Sequence, residues 1–227
     1  MIIGNGLIAS SFNESIELFD DCVIFASGVS SSKETSDLQF KRESNLILKT
    51  LLNNPELKFI YFSTILADVT NNPYYNHKQE MESLIKNNSN NYLIIKLPQV
   101  IGEIGNQDNL VNYLKMSIIN GEEITIYKDI NRSIIDVDDV TSIVYYIKNK
   151  VTNKTIYISG FEKINVLNLC KTIGKILKTK PKINLVDNAY HISDWMFDNS
   201  KIVDDSIDKL ESNRKGYIKR VLKKYLQ

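Results

Sequence analysis

The chain has 227 residues, 43% of them hydrophobic, and a formal net charge of +1, which fits one large domain, or one with a small appendage, around a sizeable core. Balanced charge offers no footprint for a nucleic acid or a membrane surface, and apolar runs such as Tyr92–Leu97 are too short to span a bilayer. The start MIIGNGLIASSF lacks the basic segment and cleavage site of a secretory signal, and two distant cysteines, Cys22 and Cys170, suggest neither a disulfide framework nor a metal site. A reducing, cytoplasmic setting is the expectation.

Short apolar runs alternate with longer amphipathic stretches, a pattern that predicts an α/β fold with a parallel sheet. A strand over residues 1–3 enters a glycine turn and a helix over 7–18, followed by a buried strand over 22–26. A helix over 38–52, a strand over 59–63, a helix over 74–86 and a strand over 92–97 come next. Residues 110–120 read as a helix, 124–127 as a strand, 138–148 as a helix, 155–159 as a strand and 166–177 as a helix. The tail over 204–227 reads as helical, charged and amphipathic, a solvated terminal helix rather than a site for an anionic partner.

Two motifs carry chemistry. In IIGNGLIASSF, Gly4 and Gly6 lie between an apolar strand and a helix, with Ala9 three residues on. Glycines allow a sharp turn and close backbone approach to a pyrophosphate, whose charge a helix N-terminus attracts. Alone, the pattern equally describes a plain strand–turn–helix. In STILADVTNNPYYNHKQEME, Tyr74 and Lys78 share one face of a helix. An ordinary tyrosine is a poor base at neutral pH, and a nearby ammonium would lower its pKa. Ser63 and Thr64 end the preceding strand, where a hydroxyl faces the ligand crevice of a parallel sheet. With twelve tyrosines in the chain, the Tyr-x-x-x-Lys spacing by itself is cheap.

These motifs, with CVIFASGVSSS, KFIYFST, IIKLPQVIG, GEEITIYKDINRSIIDVDDV and the later NKTIYISGFEKINVLNLCKTIGKIL and FDNSKI, follow one another in the order of a known family. The chain resembles the NAD-dependent epimerase/dehydratase family, the extended short-chain dehydrogenases that process nucleotide sugars. The resemblance implies a Rossmann-like parallel sheet of reduced strand number with a small C-terminal substrate-binding portion. It places the dinucleotide-binding domain mainly at 1–160, with 100–135 contributing to the substrate site, and the C-terminal portion at 161–227. It implies Tyr74 as general acid/base, Lys78 as its electrostatic partner and a contact of the nicotinamide ribose, and Thr64 as the group orienting the reacting oxygen. Gly4, Asn5, Gly6, Leu7, Ile8, Ala26, Ser27, Gly28 and Leu97 would line the NAD or NADP site. Gln99 and Arg132 would meet the substrate, Arg132 through its diphosphate. Where the family usually has Arg near the strand end and Asn in the next loop, this chain has Lys96 and Gln99.

One departure matters. A single helix separates the glycine turn from the FASGVS strand, where the family normally has two further strand–helix units, including the residue that reads the adenosine ribose. The sheet should be smaller on that side and the adenosine half of the cofactor less enclosed, which weakens retention. The favoured function is therefore NAD(P)H-dependent reduction of a nucleoside-diphosphate keto sugar, at C4, in surface-glycan precursor synthesis. The alternatives are a 4-epimerase with retained NAD and a non-catalytic sugar-nucleotide-binding protein. A homodimer built through the helices at 38–52 and 74–86 is expected. His77 reads as a surface histidine ahead of a catalytic one, and Glu43 as an exposed helix carboxylate, with a place near the active face as its alternative. Ser30, with Ser27 and Gly28, reads equally as crevice lining or as a small-residue turn. His191, Tyr190 and Trp195 read as an aromatic cluster, a lid or a dimer contact.

Overall fold

The computed structural model describes residues 1–103, 109–187, 198–209 and 215–226. The fragment containing Tyr190, His191 and Trp195 lies outside these residues.

Five parallel strands form the main sheet in the order β1 (Ile2–Ile3), β2 (Cys22–Phe25), β3 (Lys58–Thr64), β4 (Tyr92–Leu97) and β8 (Lys154–Tyr157). Their residues alternate between two cores, as a strand's period of two requires. Cys22, Ile24, Ile60, Phe62, Leu93 and Ile95 point to one face, against α1 (Leu7–Asn13), α5 (Val137–Ile147) and α7 (Lys201–Lys209). Val23, Phe25, Phe59, Tyr61 and Ile94 point to the other, against α2 (Asp37–Asn53) and α3 (Pro73–Asn88). Helices on both faces explain why these strands read as continuous apolar runs. Among the described residues β1 pairs only with β2 and β8 only with β4, so β1 is one of the two sheet edges.

A second core joins α4 (Leu110–Asn120), α6 (Val166–Ile176) and α8 (Tyr217–Leu226). Two small sheets border it: β6 (Glu123–Tyr127) with β10 (Lys182–Val186), and β7 (Asn131–Asp136) between β5 (Gln99–Ile101) and β9 (Lys163–Asn165). The tail is less solvated than its charge suggests. Tyr217, Ile218, Val221, Leu222 and Leu226 bury one face of α8. Its Tyr217 hydroxyl accepts from Asp136 N–H at 2.8 Å and donates to Asp139 Oδ2 at 2.5 Å, docking the tail on the end of β7.

The helix predicted over 7–18 is broken. It stops at Asn13 and resumes as a 3₁₀ turn at Ile16–Phe19. The break lets Phe12 and Phe19, both fully buried, meet edge to face at 4.9 Å. No helix among the described residues is long and apolar enough to cross a membrane.

Candidate active site

The carboxyl ends of β1 to β4 open on a cleft of about 570 Å³. Gly6, Leu7 and Ile8 line it after β1, Ala26, Gly28 and Ser30 after β2, and Thr64 at the end of β3. Tyr74 and Lys78 enter from α3, Leu97 from the end of β4, Gln99 from β5 and Arg132 from β7. Gln99 and Arg132, with Ser32, also border a neighbouring cleft of about 470 Å³ that Tyr113 and Tyr127 help to line. The remaining three expected cofactor residues do not line the first cleft. Gly4 shapes its turn instead. Its φ is 131°, and an added Cβ would sit 2.4 Å from the Ala26 carbonyl oxygen. Asn5 is exposed. Ser27 is engaged by Arg42, whose Nη2 donates to its carbonyl oxygen at 2.9 Å and Nη1 to its hydroxyl at 3.3 Å.

Local sequence sets α3. The Asn72 side chain accepts the Tyr75 N–H at 2.9 Å and Pro73 occupies the first turn, so the helix starts one residue before Tyr74. The i, i+4 spacing then stacks Tyr74 and Lys78 on the buried face, 9% and 3% exposed. The two strand-end hydroxyls part company. Both residues line the cleft, but the buried Ser63 hydroxyl donates to Glu82 Oε1 at 2.5 Å, while Thr64 Oγ1 accepts the Leu66 N–H at 3.3 Å. Lys96 is drawn into that interior network, paired with Asp68 and, at 3.1 Å, with Glu82.

Glu43 and His77 overturn their reading as exposed residues. They are 0% and 3% exposed. Glu43 lies on the same face of α2 as Ile47, Thr50 and Leu51, which are buried against the sheet and α3. Its Oε1 accepts from the Tyr61 hydroxyl at 2.7 Å and from Lys78 Nζ at 3.1 Å. Its Oε2 accepts the Val29 N–H at 2.6 Å and lies 3.0 Å from His77 Nε2, whose ring stacks on Phe40. Burial alone would raise this carboxyl, but the Lys78 ammonium, His77, the Val29 N–H and Tyr61 together hold it at about 2. The signal that would have found Glu43 is its i, i+4, i+8 spacing with the apolar Ile47 and Leu51.

Lys78 does not lower the Tyr74 pKa as the motif suggested. Burial, reinforced by Tyr75 and Glu43, pushes the phenol well above its ordinary value. Lys78 Nζ stands 5.8 Å from the Tyr74 ring centroid, with Glu43 beside it. In this state Tyr74 keeps its proton at neutral pH.

No protein-family model matches the sequence, and no curated protein does. Solved structures do. RMD from Pseudomonas aeruginosa, complexed with NADPH, superposes with a TM-score of 0.78 at 14% identity, covering 99% of this chain and 96% of that one. UDP-glucose 4-epimerase from Thermotoga maritima, with UDP-glucose, gives 0.75 at 17% identity over 99% and 96%. dTDP-glucose 4,6-dehydratase from Bacillus anthracis, in complex with NAD, gives 0.68 at 13% identity over 99% and 78%. These neighbours are members of the NAD-dependent epimerase/dehydratase family, and the chain has their Rossmann-like α/β fold.

Proposed function

We propose that the protein is an NADH- or NADPH-dependent reductase of a keto sugar carried on a nucleoside diphosphate, acting at the C4 carbonyl. The observation that carries this reading is the convergence of Thr64, Tyr74 and Lys78 on one cleft with the glycine turn at its rim. The chain's residues fit a dinucleotide. An added Cβ at Gly6 would meet nothing within 4 Å, which leaves open space above the turn. At Gly28 it would press on Lys78 Nζ at 2.6 Å, so glycine there keeps the cleft floor clear. Residues 6–8, Ala26, Gly28, Lys78 and Leu97 would hold the dinucleotide, within the 1–160 portion. Residues 100–135 and 161–227 would form the substrate side.

A reduced dinucleotide held there by Gly6, Leu7, Ile8, Lys78 and Leu97 would supply the hydride for the carbonyl carbon and would itself be oxidised. Tyr74 gives its proton to the carbonyl oxygen as the C=O π bond opens, and regains one from water. Thr64 holds that oxygen in line, and Arg132 pairs with the diphosphate. The 4-epimerase reading draws on the Thermotoga likeness. The reductase is preferred because β1 at the sheet edge leaves the adenosine side open to exchange.

The test is calorimetric titration with NADH, NADPH and UDP-, GDP- and dTDP-sugars, followed by assay of Tyr74→Phe. Turnover should fall by about 10²–10⁴-fold while dinucleotide affinity stays unchanged. Full turnover in the variant overturns the acid role. Sugar-nucleotide binding without dinucleotide binding, in protein carrying none already, replaces the reductase with a binding protein.

A further inference from the structure

We propose that Arg42 reads the 2′-phosphate of the dinucleotide, so that the protein selects NADPH over NADH. The inference rests on the dinucleotide-binding part of the reductase reading and goes further, since it assigns the choice of cofactor to a residue of α2.

Arg42 stands beside the glycine turn, on the rim of the cleft. Its Nη2 donates to the Ser27 carbonyl oxygen at 2.9 Å and its Nη1 to the Ser27 hydroxyl at 3.3 Å. Ser27 backs directly on the turn, because a Cβ added at Gly4 would lie 3.0 Å from the Ser27 nitrogen. The guanidinium is also fixed by its own helix, where Nε donates to Gln39 Oε1 at 3.1 Å. These bonds use one N–H on each of the three nitrogens, so each Nη keeps one. Two N–H groups on one rigid fork match two oxygens of a phosphate.

The charge of this fork is uncompensated. All three of its acceptors are neutral, and among the described residues Arg42 pairs with no carboxylate. The adjacent Glu43 is turned into the core with both oxygens occupied. The acidic residues between the glycine turn and β2 are Glu14, Glu17, Asp20 and Asp21. They follow α1 and lead into the amino end of β2, the sheet end opposite the cleft, where Asp21 pairs with Lys148 at 2.5 Å. None of them can bond an adenosine ribose hydroxyl or repel a phosphate in its place.

Position follows from the two ends of the dinucleotide. Its pyrophosphate belongs at the glycine turn, and its nicotinamide beside Thr64, Tyr74 and Lys78 on β3 and α3. The adenosine ribose then lies on the other side of the turn, over β1 and the end of β2. Arg42 is an exposed cation on that side, just outside the enclosed cleft.

The experiment is calorimetric titration of the whole protein with NADPH and NADH, and with adenosine 2′,5′-bisphosphate and 5′-AMP as fragments that carry and lack the second phosphate. The parent should bind NADPH at least about tenfold more tightly than NADH, and the bisphosphate more tightly than 5′-AMP. Arg42→Gln is an exposed change that removes bonds to neutral groups only, and should fold as the parent does. It should weaken NADPH by about 10–100-fold, leave NADH within about twofold, and flatten the salt dependence of NADPH binding. A parent that binds both dinucleotides equally overturns the proposal and leaves the reductase reading standing. So does a variant that loses both alike, which assigns Arg42 to the pyrophosphate they share, and so does an unmoved NADPH affinity. A parent that binds neither dinucleotide removes the reductase reading, and the fragments then decide Arg42. Bisphosphate binding that is lost in Arg42→Gln upholds the anion site, and no bisphosphate binding overturns it.

Discussion

Glu43 concentrates what one residue does here. Its carboxyl is held at about 2 in the folded protein against an ordinary 4.5. The folded state therefore binds this proton less readily than the unfolded chain, so the carboxylate stabilises the fold. That stability is present in full above pH 4.5 and is lost as the pH falls towards 2. Urea midpoints measured across this window should drop with acid in the parent, and Glu43→Gln should remove part of that slope. An identical slope in the variant would assign the acid sensitivity elsewhere. The residue was hard to see in the sequence because a glutamate in a polar-looking helix segment defaults to the surface. Gly4, Gly6, Tyr74 and Lys78 were visible because their spacing reports backbone geometry and helix facing directly. What spacing did not reveal is that Lys78 already has a counterion.

At the scale of elements, the sequence was clearest where one periodicity ran uninterrupted. The main-sheet strands β2, β3 and β4 each carry a buried apolar run, and α3, α4 and α6 carry side-chain caps from Asn72, Asn109 and Asn165. The short strands β5 and β9 escaped notice, as did β7 and β10, the longer two. Asn131–Asp136 begins and ends in polar residues, and Lys182–Val186 is largely exposed, so neither shows a buried alternation. The α3 cap matters most for the site. Replacing Asn72 by Ala leaves the Tyr75 N–H without its acceptor and should cost about 1 kcal/mol of stability. Because Tyr74 and Lys78 sit in the first two turns, fraying there reaches them first. Thermal melting should show the loss, and hydrogen exchange should localise it to the start of α3. A uniform rise in exchange across the chain would contradict that localisation.

At the scale of the whole molecule, the sheet is wide where chemistry is proposed and narrow where a dinucleotide's adenosine end would rest. The strand–helix units absent between the glycine turn and β2 leave β1 as the edge, as the spacing of the two motifs had indicated. A dinucleotide would bury its nicotinamide end in the cleft and have fewer protein atoms around its adenosine, and a bound molecule held by less contact leaves faster. For a 4-epimerase this is a liability, because the same cofactor must survive an oxidation and a reduction. For a reductase it is an advantage, because the oxidised product must depart before each new turnover. Protein purified and passed through a desalting column should therefore carry no nicotinamide absorbance or fluorescence, and should bind added NADH or NADPH reversibly. Stoichiometric NAD surviving purification would reverse the assignment, because tight retention despite an open edge is what an epimerase requires.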